Sequence, residues 1–313
     1  MATAPAALLL ALLLLAMASG AAAQPTGERG FAPGWNGLAS APPMAWRSWN
    51  AFQYCIRAGL PGDNSSCAMA GPPGKPFMPM SCEALSRPCG SIAAAMERIT
   101  ARNISLDGKL VSLADVGYAT IGIDEGWEAC GEGVSGGQHD AHGNPLANLR
   151  RFPDLRALVA FGHRRGLKVG WYLNGCGCPE ILQQFGGKVS PEQLERMYEG
   201  DVRTLSALGF DTVKLDGCGS LRNNTRYAAL MRQTGKAFEA ENCHWGAMQS
   251  IGCHPGDDGS ACPTASWCPF TTFRTSGDIG AGSDSWFRNL QTVLPYTKRH
   301  APLSVPSCWA YPE

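Results

Sequence analysis

Four things are missing from this 313-residue sequence. No apolar run beyond the amino terminus approaches the roughly 20 residues that cross a bilayer, so the membrane is not an expected partner. Net charge is zero, with 26 basic and 26 acidic residues and no basic stripe, which argues against nucleic acid. The phosphate loop of a dinucleotide fold is absent, since the G-x-G-x-x-G at Gly131–Gly136 lies within the 128–149 segment with no helical pattern directly behind it. There is no C-x-x-C, and the six histidines lack i, i+4 ligand spacing, so neither a metal nor a cofactor is expected.

The long apolar run that does occur spans Ala6 to Met17 and is followed by Ala21-Ala22-Ala23. It reads as a secretory signal peptide over 1–23, cleaved after Ala23, although no Lys or Arg precedes it. The expected location is the secretory pathway, ending outside the cell or in a vacuole or lysosome. The remaining 24–313 is long enough for one large core. All 13 cysteines lie in it. In a secreted chain they should mostly pair, and the odd count leaves at least one without an internal partner. Asn64, Asn103 and Asn223 open N-x-S/T sequons and are candidate glycan sites.

Strand-like apolar runs alternate with helical patterns. The strands are expected at Pro43–Trp49, Ala119–Asp124, Leu167–Leu173, Phe210–Leu215, Ala237–Cys243, Phe270–Phe273 and Ser307–Tyr311. Helices are expected over Ile92–Ile99, Leu155–Arg165, Pro191–Leu208 and Asp284–Leu294. The third opens with Ser190-Pro191, a cap followed by a proline at the first helical position, and stops at Gly209. Strand–helix alternation implies parallel strands with helical crossovers. A closed (β/α)8 barrel is favoured over an open doubly wound sheet, because charged residues follow several different strands. Long segments at Gln53–Gly90, Glu128–Leu149 and Gly246–Pro269 should crowd one rim, the first and last stapled by disulfides.

The sharpest local signal is Val213-Lys214-Leu215-Asp216-Gly217, an apolar strand ending in two charges that share a face. Alone it reads more readily as a strand-end ion pair or a turn aspartate. Other strand ends carry similar chemistry: Asp124 and Glu125; Tyr172 and Asn174; His244 and Trp245; Arg274 and Asp278; with Trp46 and Trp49 on the first strand. Aromatic faces pack on the apolar side of a pyranose ring and carboxylates accept from its hydroxyls. Two carboxylates across a pocket suit glycosidic bond cleavage.

Six motifs, in order, resemble the secreted family 27 glycoside hydrolases, the α-galactosidases and α-N-acetylgalactosaminidases. Pro42-Pro43-Met44-Ala45-Trp46-Arg47-Ser48-Trp49-Asn50 is similar to that family's P-P-M-G-W-N-S-W-N. Gly117-Tyr118 through Ile123-Asp124-Glu125-Gly126-Trp127 is similar to G-Y-x-x-x-x-I-D-D-C-W. Arg151-Phe152-Pro153 and Gly166–Tyr172 resemble R-F-P and G-L-K-L-G-I-Y. Lys214-Leu215-Asp216-Gly217-Cys218 resembles K-x-D-x-C, and Arg274–Ile279 resembles R-x-x-x-D-I. The resemblance implies a retaining hydrolase that takes a carbohydrate with terminal α-linked galactose, with a homodimer allowed. It implies Asp216 as nucleophile, its charge favoured by Lys214, and Asp278 as general acid/base. It places Asp124 on the C4 and C6 hydroxyls, Trp49 and Tyr172 along the ring, and Lys214 on the hydroxyl at C3 or C4. The Cys243-His244-Trp245 loop would read the substituent at C2. Because a general acid must keep its proton, Arg274 is expected on a substrate hydroxyl and the nucleophile, away from Asp278. Cys218 is expected to pair with Cys176 or Cys178.

Departures from the family pattern carry their own expectations. Glu125 replaces Asp, which alters the pocket at C6. Gly126 replaces Cys, so that disulfide is lost or moved to Cys130. His244 replaces Glu, which leaves galactose and N-acetylgalactosamine both open. The sequence stops where the family continues through D-P-D-M-L, so the eighth βα unit and a carboxyl-terminal antiparallel domain fall outside it. A seven-stranded barrel has two strand edges, and the expectation is a chain of low stability and low activity, down to a non-catalytic sugar-binding product.

Overall fold

The computed structural model describes residues 31–67, 82, 89–174, 178, 189–217, 220–244, 263, 266–297 and 304–313. The expected signal peptide, Cys176, Cys218 and Trp245 lie outside the described residues.

Seven parallel strands follow one another in sequence order: β1 (Ala45–Arg47), β2 (Thr120–Gly122), β3 (Lys168–Leu173), β4 (Thr212–Asp216), β5 (Glu239–Cys243), β6 (Thr272–Arg274) and β7 (Trp309–Tyr311). All seven sequence expectations are met by shorter strands, of which β4 and β6 end one residue later than expected. Helices α1 (Ile92–Thr100), α2 (Leu155–His163), α3 (Pro191–Leu208), α4 (Asn224–Gln233) and α5 (Ser283–Gln291) supply crossovers. Side-chain caps start four of them: Ser91 accepts from the Ala94 N–H, Asp154 from Ala157, Ser190 from Gln193 and Asn223 from Arg226. Gly209 ends α3 at φ 87°, a left-handed cap that glycine adopts without strain.

The sheet curls. Arg47 on β1 and Tyr311 on β7 both bond Glu241 on β5. In a flat sheet β1 and β5 would stand roughly 19 Å apart, four inter-strand spacings. The contact therefore requires the strands to wrap around a shared interior, the geometry of a partial (β/α)8 barrel. Among the described residues β1 and β7 are the two sheet edges. The start of β7 and the segment that leads into β1 approach one another: Ser307 N–H and Trp309 Nε1 both donate to Ala39 O, at 3.0 and 2.7 Å.

Strand periodicity sorts the side chains. Lys214 and Asp216 face the interior, while Val213 and Leu215 pack outward among the core residues shared with the helices. Trp171, next to inward-facing Tyr172, stacks on Phe210 at 4.9 Å and meets Trp127 at 4.5 Å, and all three are fully buried. These large rings fix β3 against the start of β4.

Four disulfides join described residues: Cys55–Cys82, Cys67–Cys89, Cys130–Cys178 and Cys268–Cys308. The first two staple the Gln53–Gly90 segment within itself. The third corrects one option for Cys218, since Cys178 is taken by Cys130. The bond lost at Gly126 has thus moved to Cys130, tying the segment after β2 to the one after β3. The 128–149 segment folds back through bridges Glu128–Ala147 and His139–Pro145. It docks on α3 through His139 Nε2 and Asp201 Oδ1 at 2.9 Å, and Tyr227 OH donates to the other oxygen at 2.6 Å.

Candidate active site

Seven of the residues singled out in the sequence line one cavity of about 110 Å³: Trp49, Asp124, Glu125, Lys214, Asp216, Arg274 and Asp278. They arrive from β1, β2, β4 and β6 or the turns that follow them, all at the carboxyl edge of the sheet. Tyr54 and Glu313 complete the lining. A second cavity of about 360 Å³ shares Trp49, Asp124, Lys214 and Glu313 and extends between β1 and β7 past Arg47, Glu241 and Tyr311.

Asp216 is held at both oxygens. Tyr172 OH donates to Oδ2 at 2.7 Å and the Gly217 N–H to Oδ1 at 2.7 Å, while Asn174 Nδ2 donates to its backbone carbonyl at 2.7 Å. Burial pushes the Asp216 carboxyl up, Lys214 and the Tyr172 hydrogen bond pull it down, and Asp124 pushes it up; the net direction is upward. The sequence expected Lys214 to lower it. Lys214 does, but desolvation outweighs that attraction, because the ammonium is committed to Asp124 Oδ2 at 2.9 Å. Burial disfavours the Lys214 ammonium too, yet Asp124 and its anionic neighbours hold it above its usual value. Burial and the adjacent Asp216 charge hold the Tyr172 hydroxyl far above its ordinary range, so it stays a donor.

Asp124 sits at the centre of the anchoring network. Its backbone N–H donates to Ser48 Oγ at 2.9 Å, its Oδ1 accepts from the Glu125 N–H at 2.9 Å, and Arg47 Nε stands 3.8 Å from Oδ2. Arg47 also pairs with Glu241. Glu125 is buried and contacts the Tyr54 hydroxyl. Behind this turn, Glu128 Oε2 accepts from the Gly126 N–H at 2.7 Å, and burial pushes the Glu128 carboxyl up to about 8. Gly126 is at φ 120°, and a Cβ there would stand 2.9 Å from Tyr54 O. Glycine is therefore required where the family motif carries Cys.

The placement of Arg274 overturns one expectation. Its guanidinium contacts Asp278 Oδ1 through Nη2 at 2.5 Å. Residues 274 and 278 flank a tight turn, and a guanidinium only 2 % exposed requires anionic partners close by. Glu313 Oε2 supplies a second at 3.2 Å. Nε donates to Ser276 O at 2.9 Å and Nη1 to Cys243 Sγ at 3.1 Å.

Three predicted residues among those described, Tyr172, Cys243 and His244, do not line the cavity, and Tyr172 acts on it through its bond to Asp216. Cys243 is buried behind Arg274 as an unpaired thiol, and burial pushes its thiol up. His244 turns its Nδ1 toward Asn224 on α4 at 3.4 Å. Trp245 lies outside the described residues. The sequence reading missed Arg47, Tyr54 and Glu313. A charge inside an apolar strand, two residues before Trp49, was the available signal for Arg47; Tyr54 and Glu313 reach the cavity only through the folded turns.

A family model described as "Alpha galactosidase A" matches residues 80–312, so the chain belongs to that family. It is 28 % identical to the α-N-acetylgalactosaminidase of Gallus gallus over 89 % of this chain and 58 % of that protein. It is 25 % identical to α-galactosidase 2 of Arabidopsis thaliana over 89 % of this chain and 54 % of that one. The α-galactosidase structure from Saccharomyces cerevisiae superposes with a TM-score of 0.50 at 18 % identity, over 80 % of this chain and 42 % of that one. A β-L-arabinopyranosidase structure from Geobacillus stearothermophilus gives 0.52 at 13 % identity, over 88 % and 61 %. These structural likenesses establish the fold. The chain spans about half the length of the curated relatives it matches.

Proposed function

We propose that this site removes terminal α-linked galactose with retention of configuration. The observation that carries the reading is the meeting of Asp216 and Asp278 in one cavity with Asp124, Lys214 and Arg274 around them. In the first step an Asp216 oxygen attacks C1. The C1–O bond breaks with its electron pair going to the leaving oxygen, which takes the proton from Asp278. In the second step water attacks C1, gives a proton to Asp278, and the ester electrons return to Asp216. Tyr172 and the Gly217 N–H hold the nucleophile in place, and Asp124, fixed by Lys214, offers acceptors to ring hydroxyls.

The 110 Å³ cavity is tight for a hexose, and its continuity with the larger cavity past Trp49 supplies the remaining space. Trp49 is the aromatic wall against which the apolar face of the ring would pack. The test is hydrolysis of a nitrophenyl α-galactoside by the 313-residue chain, with product anomer followed by NMR. First-formed α-galactose supports the reading, and β-galactose contradicts it.

A second reading, removal of N-acetylgalactosamine, rests on His244. It replaces the family's Glu in the loop that reads C2, and its ring faces Asn224 rather than the cavity. Turnover of the N-acetyl analogue at a higher kcat/KM than the galactoside would favour it.

A further inference from the structure

Arg274 has more anionic partners than a static guanidinium needs. Its Nη2 is shared by Asp278 Oδ1 at 2.5 Å and Glu313 Oε2 at 3.2 Å. The two carboxylates differ in freedom. The Asp278 side chain is 72 % exposed and is held by the arginine. Glu313 is 22 % exposed and tied to the same turn at further points: its Oε2 accepts from the Ile279 N–H at 3.2 Å, and its own N–H donates to Ser276 Oγ at 3.3 Å. Both line the cavity, where the exposed Asp278 side chain can swing and Glu313 is pinned.

A buried guanidinium stripped of its anion is strongly unfavourable. An acid/base whose Oδ1 is held by that guanidinium is equally disabled, since it is not available to the glycosidic oxygen. We propose that Glu313 is a positioning residue for the general acid: it keeps Arg274 neutralised when Asp278 leaves it for the glycosidic oxygen, so that Asp278 can carry and deliver a proton. The pairing in this structure is the resting arrangement, and the working one has Arg274 on Glu313, Ser276 O and Cys243 Sγ. This rests on the hydrolase reading above.

The test separates proton delivery from general damage. In Glu313→Gln the arginine has Asp278 as its remaining anion and retains it. A leaving group that needs protonation then suffers, and one that departs unaided does not. For methyl α-galactoside, kcat/KM should fall about 100-fold, within the range for loss of general acid catalysis. For 2,4-dinitrophenyl α-galactoside it should fall less than about 3-fold, because that phenolate needs no proton. Equal losses on both substrates would overturn the proposal while leaving the hydrolase reading intact. A wild-type chain inert on both would refute the two together. A crystal structure of the wild-type chain with galactose bound gives an answer that does not depend on the variant folding. Asp278 withdrawn from Arg274, with Glu313 remaining on it, supports the proposal; Asp278 still on Arg274 overturns it.

Discussion

The Tyr172 hydroxyl donates to Asp216 Oδ2 at 2.7 Å, across neighbouring strands whose register places Tyr172 beside Lys214. A buried hydrogen bond to a charged group contributes about 1.5–3 kcal/mol. In the proposed mechanism it stabilises the carboxylate that must stay ionised to attack. Tyr172→Phe should lower kcat by about 10- to 100-fold. Losing the donor also moves the Asp216 carboxyl further up, so the acid limb of the pH–rate profile should shift to higher pH. An unchanged limb would show that the hydroxyl does not act on Asp216.

Lys214 and Asp124 form an ion pair with side chains 6 % and 1 % exposed. Removing one partner of such a pair strands the other charge and costs about 3–5 kcal/mol. Lys214→Met should therefore lower the unfolding midpoint strongly, and adding Asp124→Asn should restore much of the loss. Urea titration of the two variants checks this. Additive losses in the double variant would contradict the pairing.

Glu128 gives a pH signature. Its carboxyl rises from 4.5 to about 8 on folding, chiefly through burial. The folded chain therefore keeps a proton that the unfolded chain releases. Stability contributed by this group is fully present at acid pH and declines as pH rises from about 4.5 to 8, by up to about 1.4 kcal/mol per unit. Unfolding free energies at pH 5 and pH 7 should show that decline in the wild type, with a flatter profile in Glu128→Gln. Parallel profiles would contradict it.

Much of this fold is local in origin, and that is why the sequence displays it. Ser190-Pro191 and Gly209 bound α3 through their own backbone chemistry, and the apolar run into Lys214-Leu215-Asp216 declares both a strand and its inward face. Helix α4 was not legible. Its apolar residues form one run, Tyr227–Met231, between polar ends and show no helical period, and its cap Asn223 also reads as a sequon. The Ile104–Leu106 and Lys109–Val111 hairpin escaped too, although Asp107-Gly108, at φ 49° and 75°, is the turn that such a hairpin uses. Seven of the nine residues lining the smaller cavity were readable from strand ends, and Tyr54 and Glu313 were not. Who pairs with whom was not: Lys214 to Asp124 rather than Asp216, and Arg274 to Asp278 and Glu313, follow from how tightly the curled sheet brings β2, β4 and β6 together.

The central claim is that Asp216 attacks the anomeric carbon. A fluorinated galactoside with a good leaving group, incubated with the chain and followed by peptide mass spectrometry, tests it most directly. The account predicts a glycosyl ester on the peptide containing Asp216, and no ester in Asp216→Asn. A label on Asp124, Glu125, Asp278 or Glu313 would contradict it.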